Sequence, residues 1–185
     1  MFETFLAECG PLQNKTVFEQ DYLTELKGTL PDDVLSLLAR GKGSYMNGYF
    51  WIVNPIEYQD ILEEVYKPVE RPSTCFARDA FGGLYVWEGE SIVYIDVRLG
   101  ASMVLGRKTS VFFNRIITDW EYLSEQLHLE NFYPVKEILG DLSSDECYGY
   151  VPLLALGGNE NVENLQRVKI KEHLVIIAQT AGKIG

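Results

Sequence analysis

The sequence predicts an α+β fold in which a central antiparallel sheet is flanked by N- and C-terminal helices. Three observations carry this prediction. Between Cys75 and Leu105, four short segments rich in β-branched and aromatic residues are parted by Gly82-Gly83, Gly89 and Gly100. Those gaps are too short for crossover helices, so the strands form an antiparallel meander. Apolar residues at helical spacing lie before this block, from Ile56 to Val65, and after it, from Trp120 to Leu127 and from Leu174 to Ala181. Finally, 185 residues at 46% hydrophobic content can bury one sizeable core.

The elements follow in order. Thr16-Val-Phe-Glu19 has capping-box spacing and predicts a short helix running to about Leu26. Leu30-Pro31-Asp32-Asp33 opens a second helix, because proline needs no amide partner there and the acids suit the dipole; Val34, Leu35 and Leu38 form its apolar face. Gly41, Gly43 and Gly48 surround Ser44-Tyr-Met-Asn47, which reads as a turn-rich loop, and Tyr49 to Val53 has strand composition. Asn54-Pro55 stops that strand and introduces a helix carrying Ile56, Tyr58, Ile61, Leu62 and Val65, which ends before Pro68. Cys75 to Arg78, Leu84 to Trp87, Ile92 to Val97 and Ser102 to Leu105 are the four meander strands.

Val111 to Ile117 begins a helical second half. Thr118-Asp-Trp-Glu121 is another capping box, with Trp120, Leu123 and Leu127 on the inner face of its helix. A further helix spans Phe132 to Leu139 with Pro134 near its start. Val151 to Leu156 is long enough for a buried strand, closed by the Gly157-Gly158 turn, and Lys171 to Ala181 is a terminal helix stopped by Gly182. No repeat or flexible linker appears, so residues 1–115 and 116–185 are expected to be an α+β subdomain and a helical subdomain packed against it.

Aspartate and glutamate total 27 against 16 lysine and arginine, a net charge of −11 that repels phosphate backbones and anionic membranes. The acidic N-terminus does not read as a secretory signal and no apolar run reaches transmembrane length, so a cytoplasmic protein is expected. Cys9, Cys75 and Cys147 are far apart and are expected to be buried thiols.

No catalytic constellation emerges. His128 and His173 fall in no metal-ligand pattern; His128 is expected at a solvated helix position and His173 in a packed or partner-facing one. Gly100-Ala-Ser102-Met-Val104 lacks the second glycine of a nucleophile elbow, and Gly41-Lys-Gly-Ser44 lacks the spacing of a phosphate loop. Asp32-Asp33 and Asp145-Glu146 are assigned to helix starts rather than to paired-carboxylate chemistry. Tyr45, Tyr49, Phe50 and Trp51 could line a pocket, though strand burial explains them more economically. The predicted site therefore contains no catalytic residue, no metal ligand and no cofactor.

The order of motifs carries a resemblance. Cys147-Tyr-Gly-Tyr-Val-Pro-Leu-Leu-Ala-Leu-Gly-Gly158, Val162-Glu-Asn-Leu165, Lys171-Glu-His-Leu174 and Gln179 resemble the C-terminal part of the immunity proteins that accompany type VI secretion DNase toxins. Leu30-Pro31, Gly43-Ser-Tyr45, Gly48, Phe50-Trp51, Asn54-Pro55, Glu57-Tyr58 and Ala80 to Trp87 resemble the GAD-like domain that precedes this block. The match runs from about Leu30 to Ile184, and Arg40-Gly41-Lys42 is more basic than the family pattern. The resemblance implies a non-enzymatic protein that binds a cognate toxin and blocks it. The alternative is a small-ligand-binding regulator or enzyme using the aromatic, glycine-rich middle.

From Asp119 to Glu146 the sequence has eight acids and one lysine. The capping box takes Glu121 and the helix dipole takes Asp119, which leaves Glu125 and Glu130 as the partner-contact candidates.

Overall fold

The computed structural model describes residues 2–18 and 22–185. The N-terminal part runs α1 (Glu3–Glu8), β1 (Gln13–Thr16), α2 (Tyr22–Glu25), α3 (Asp32–Leu38), β2 (Lys42–Tyr45), β3 (Phe50–Ile52) and α4 (Pro55–Val65). The meander follows as β4 (Ser73–Asp79), β5 (Leu84–Glu88), β6 (Ser91–Asp96) and β7 (Ala101–Gly106). All seven strands form one antiparallel sheet in which sequence neighbours are also spatial neighbours. The α+β class and the four meander strands are as the sequence predicts.

Local chemistry accounts for most of these elements. Pro31 caps α3, with Asp32 and Asp33 in its first turn and Val34, Leu35, Leu37 and Leu38 buried. Asn54 caps α4 by accepting from the Ile56 and Glu57 amides, and Tyr58, Ile61, Leu62 and Val65 face inward. Ile56, expected on that inner face, is 48% exposed because it lies off the helical stripe formed by Pro55, Tyr58, Ile61, Leu62 and Val65.

Two early expectations are corrected. Ser44 and Tyr45 belong to strand β2, not to a loop. Gly43 there serves close strand approach, since a Cβ would collide with the Gln13 carbonyl oxygen of β1. Thr16 ends β1 rather than capping a helix, while its intended partner Glu19 lies outside the described residues.

The second part continues with α5 (Thr109–Val111), a π-helical turn at Phe112–Ile116, α6 (Trp120–Leu127), α7 (Leu129–Leu139), β8 (Glu146–Tyr150), β9 (Leu165–Lys169) and α8 (Ile170–Ala181). The π turn delivers Phe112 and Phe113 to the sheet, where they meet Phe5, Phe50, Phe76 and Tyr85 in a buried ring cluster. Residues 116–185 hold an antiparallel β8–β9 ladder as well as helices. Its strand precedes the predicted one: Val151 to Leu156 turns outward, with Val151 41% and Leu156 65% exposed. Pro152 cannot donate to a ladder, which ends β8 there.

α6 is capped by Asp119, whose side chain accepts from the Tyr122 amide, and not by Thr118; Trp120 is 42% exposed rather than inward. α7 begins three residues before Phe132, so Pro134 is internal. The end of the chain returns to the first part: the Lys67 amide donates to the Ile184 carbonyl at 2.7 Å and the Ile184 amide to Val65 at 2.9 Å. Among the described residues, no helix is long and apolar enough to cross a membrane.

Candidate partner-binding face

The helices α6 and α7 form a hairpin with a single residue between them. His128 is left-handed, at φ 62°, and serves as both the last cap of α6 and the first of α7. Its side chain is 18% exposed rather than out in solvent as expected: Nε2 lies 3.5 Å from Asp96 Oδ2 and Nδ1 lies 3.9 Å from Glu130 Oε1. The Tyr49 hydroxyl donates to the Leu127 carbonyl at 2.7 Å, fastening the same joint to β3.

This joint sets which faces are exposed. On α7, Leu129, Phe132 and Val135 are buried, and the opposite stripe, Glu130, Tyr133, Glu137 and Ile138, faces out. Tyr133 is 41% and Ile138 67% exposed. On α6, Leu123 and Leu127 are buried while Glu121 and Glu125 are exposed. Glu125 makes no hydrogen bond or ion pair among the described residues; Glu130 accepts from Asn131 Nδ2 at 3.3 Å. Glu125 and Glu130 thus lie on successive helices on either side of His128, without a bond linking them. The sequence reading missed Tyr133 and Ile138, although Glu130, Tyr133 and Glu137 repeat at helical spacing.

Beneath the hairpin lie two buried carboxylates. Asp96 receives Arg98 on both oxygens, Oδ1 from Nε at 3.1 Å and Oδ2 from Nη2 at 2.8 Å, and Oδ1 also accepts from the Arg98 and Leu99 amides. Burial works against its charge, but the guanidinium and His128 outweigh it and hold the carboxyl below the ordinary range. Asp79 accepts from the Phe81 amide at 2.7 Å and the Gly83 amide at 2.9 Å through Oδ1, and from the Tyr94 hydroxyl at 2.7 Å through Oδ2. With no cation bonded to it, burial dominates over the pull of Arg98 and raises its pKa.

Cys9, Cys75 and Cys147 are buried and free, and burial pushes each thiol up to about 12. His173 is packed in α8, and burial lowers its pKa; a Cβ on Gly149 would strike its ring. Asp145 and Glu146 do not open a helix as expected: Glu146 starts β8 and Asp145 pairs with Lys169 at 2.6 Å. Among the described residues, no group of three or more histidine, cysteine or acidic side chains could hold a metal ion.

A cleft of about 540 Å³ opens between β3, the start of α4 and the start of α8, with Trp51 in its wall. Tyr45, Phe50 and Trp51 are buried in β2 and β3, as expected, and Tyr49 is buried in the turn just before β3. The cations of the cleft are engaged: Lys42 with Glu57 at 3.1 Å, Lys169 with Asp145, and Lys171 with the Glu57 carbonyl.

Comparison with known proteins adds two family matches. Residues 1–100 match the GAD-like domain, and residues 107–181 match the C-terminal domain of the T6SS immunity protein Tdi1. A solved structure, Atu4351 from Agrobacterium tumefaciens, is 21% identical over 97% of this chain and 89% of that one, with a TM-score of 0.78, a likeness of fold. No curated protein matches the sequence.

Proposed function

We propose, from the premise that this chain belongs to the T6SS immunity proteins in which a GAD-like domain precedes a Tdi1 C-terminal domain, that it neutralises a basic DNase effector in the cytoplasm by binding it, without catalysis of its own. In this reading residues 1–115 are the scaffold and residues 116–185 present the partner face. The observation that supports it most directly is the exposed side of α6 and α7, which carries Glu121, Glu125, Glu130 and Glu137 together with the exposed apolar groups of Trp120, Tyr133 and Ile138. Nucleases that act on DNA carry positive charge where they meet phosphate, and an acidic surface steers such a partner inward. The exposed aromatic and aliphatic groups on the same two helices then supply persistence once water is expelled. The 540 Å³ cleft is the basis for a small-ligand reading, but its lysines are already engaged by protein groups, which favours the protein partner.

The test is the association rate with the paired nuclease effector across a range of salt concentrations. Wild type should associate more slowly as salt rises, and Glu125→Lys/Glu130→Lys should cut the low-salt rate about tenfold with unchanged circular dichroism. Tyr133→Ala should chiefly speed dissociation. A rate indifferent to salt in both wild type and the double variant would defeat the acidic-face mechanism, and a nuclease left fully active by excess protein would defeat the whole reading.

A further inference from the structure

The two edges of the seven-stranded sheet are built differently. β1 is Gln13-Asn-Lys-Thr16, exposed throughout, with Asn14 at φ 52° and a register shift between its two pairings to β2. A short, polar, irregular strand bearing lysine discourages another strand from adding to it. β7 is Ala101-Ser-Met-Val-Leu-Gly106, with no charge and no proline, and it pairs with β6 alone. Ala101 to Val104 keep regular register opposite Asp96 to Val93, and the irregularity is confined to the Gly106 end. Among the described residues, no backbone hydrogen bond outside that ladder involves residues 101–106. Val104 is 68% exposed, so this edge lacks the usual protection.

An acidic cleft of about 560 Å³ runs beside it. Its floor includes Val93 and Val104, and Glu70, Glu88 and Glu90 line it against a single guanidinium, Arg107. Glu88 is only 6% exposed. Its Oε1 accepts from the Val69 amide at 3.0 Å and the Glu70 amide at 3.1 Å, and its other oxygen is buried beside the Tyr66 phenol. Glu70 and Glu90 are the exposed carboxylates of the cleft. Val69, at the rim, is 85% exposed.

We propose that the free edge of β7 and this acidic cleft form a second docking site, at which an extended segment of a basic protein partner adds to the sheet as an eighth strand and places a lysine or arginine in the cleft against the exposed Glu70 and Glu90. Strand addition supplies main-chain hydrogen bonds, and the cleft supplies side-chain selection. Net acidic charge in the cleft calls for a cationic side chain. A second copy of this chain fits poorly, since its own β7 brings no cation between Ala101 and Gly106. The Tyr122 hydroxyl donates to Met103 Sδ at 3.7 Å, so α6 adjoins β7 and one partner can reach both surfaces. The identity of that partner as the effector rests on the function proposed above; the chemistry of the site does not.

Two arms test it on the full chain. In the first, hydrogen exchange is followed with and without the paired effector. In the second, a ten-residue peptide of alternating valine and lysine is titrated by NMR, with the valine–glutamate peptide as control. Slowed exchange or shifted signals at the outward amides of β7, lost or weakened about tenfold in Val104→Lys and in Glu90→Lys, support the proposal. Both positions are exposed, and circular dichroism checks that each variant folds. An effector that fails to bind at all sinks the functional reading while the peptide arm still decides the edge. If neither probe perturbs β7, or if the protein alone forms a dimer that Val104→Lys dissolves, the proposal is overturned.

Discussion

Two turns at the same end of the sheet solve the same problem in opposite ways. The β4–β5 turn stabilises the Asp79 carboxylate with two amides and the Tyr94 hydroxyl, with no cation on either carboxylate oxygen. The β6–β7 turn stabilises Asp96 with a doubly bonded Arg98. Both turns meet the C-terminal part: the Tyr148 amide donates to the Ala80 carbonyl at 2.8 Å, and Arg98 lies in a small gap beside Tyr150 and His173. The neutral solution fixes its own turn. The ionic one also reaches outward to His128, and so positions the α6–α7 face.

The largest break in this comparison is Asp96→Ala. It leaves a buried guanidinium without its carboxylate, which costs about 3–5 kcal/mol. Urea unfolding should show that loss, and binding through α6 and α7 should weaken with it. Next is Asp79→Ala, which strands the Phe81 and Gly83 amides for about 2–3 kcal/mol, whereas Asp79→Asn keeps an acceptor and should cost under about 1 kcal/mol. Equal losses for Ala and Asn would mean that charge, not hydrogen bonding, matters at Asp79.

The smallest effect sharpens the contrast through pH. The folded pKa of Asp96 lies below the ordinary 3.8, so its stabilisation is present in full above about pH 4 and is lost as pH falls through the folded value. The folded pKa of Asp79 lies above 3.8, so its favourable, protonated contribution belongs to low pH and is lost as pH rises through that value. Unfolding curves from about pH 3 to pH 8 should therefore show Asp79→Asn gaining on wild type as pH rises, and the deficit of Asp96→Asn shrinking as pH falls. Parallel curves would remove the distinction between the two turns.

Much of this architecture was legible in the residues. The meander was readable because Gly82-Gly83, Gly89 and Gly100 punctuate strong strand formers, and α3 because Pro31 and two acids announce it. β2 was not, since a glycine needed for close strand approach looks the same in sequence as a glycine needed for a turn. Nor was the role of His128, whose partner Asp96 is distant in sequence and becomes a neighbour only through the fold. At the candidate face, Glu125 and Glu130 were reached by elimination, Glu121 being assigned to the capping box and Asp119 to the helix dipole. Tyr133 and Ile138 were hidden because apolar side chains are read as core by default. The openness of the β7 edge depends on what does not cover it, which composition alone cannot reveal.

The return of the chain end to α4 has a kinetic side. The seven-stranded sheet needs only contacts between sequence neighbours, which close small loops and form early. Joining Ile184 to Val65 and Lys67 closes a loop of about 120 residues. The entropy of that closure grows only with the logarithm of loop length, so the native tie remains tolerable, yet it must wait until the segments between are ordered. The tail is therefore expected to fasten late, and hydrogen exchange during refolding should show the Ile184 and Lys67 amides protected after those of the meander.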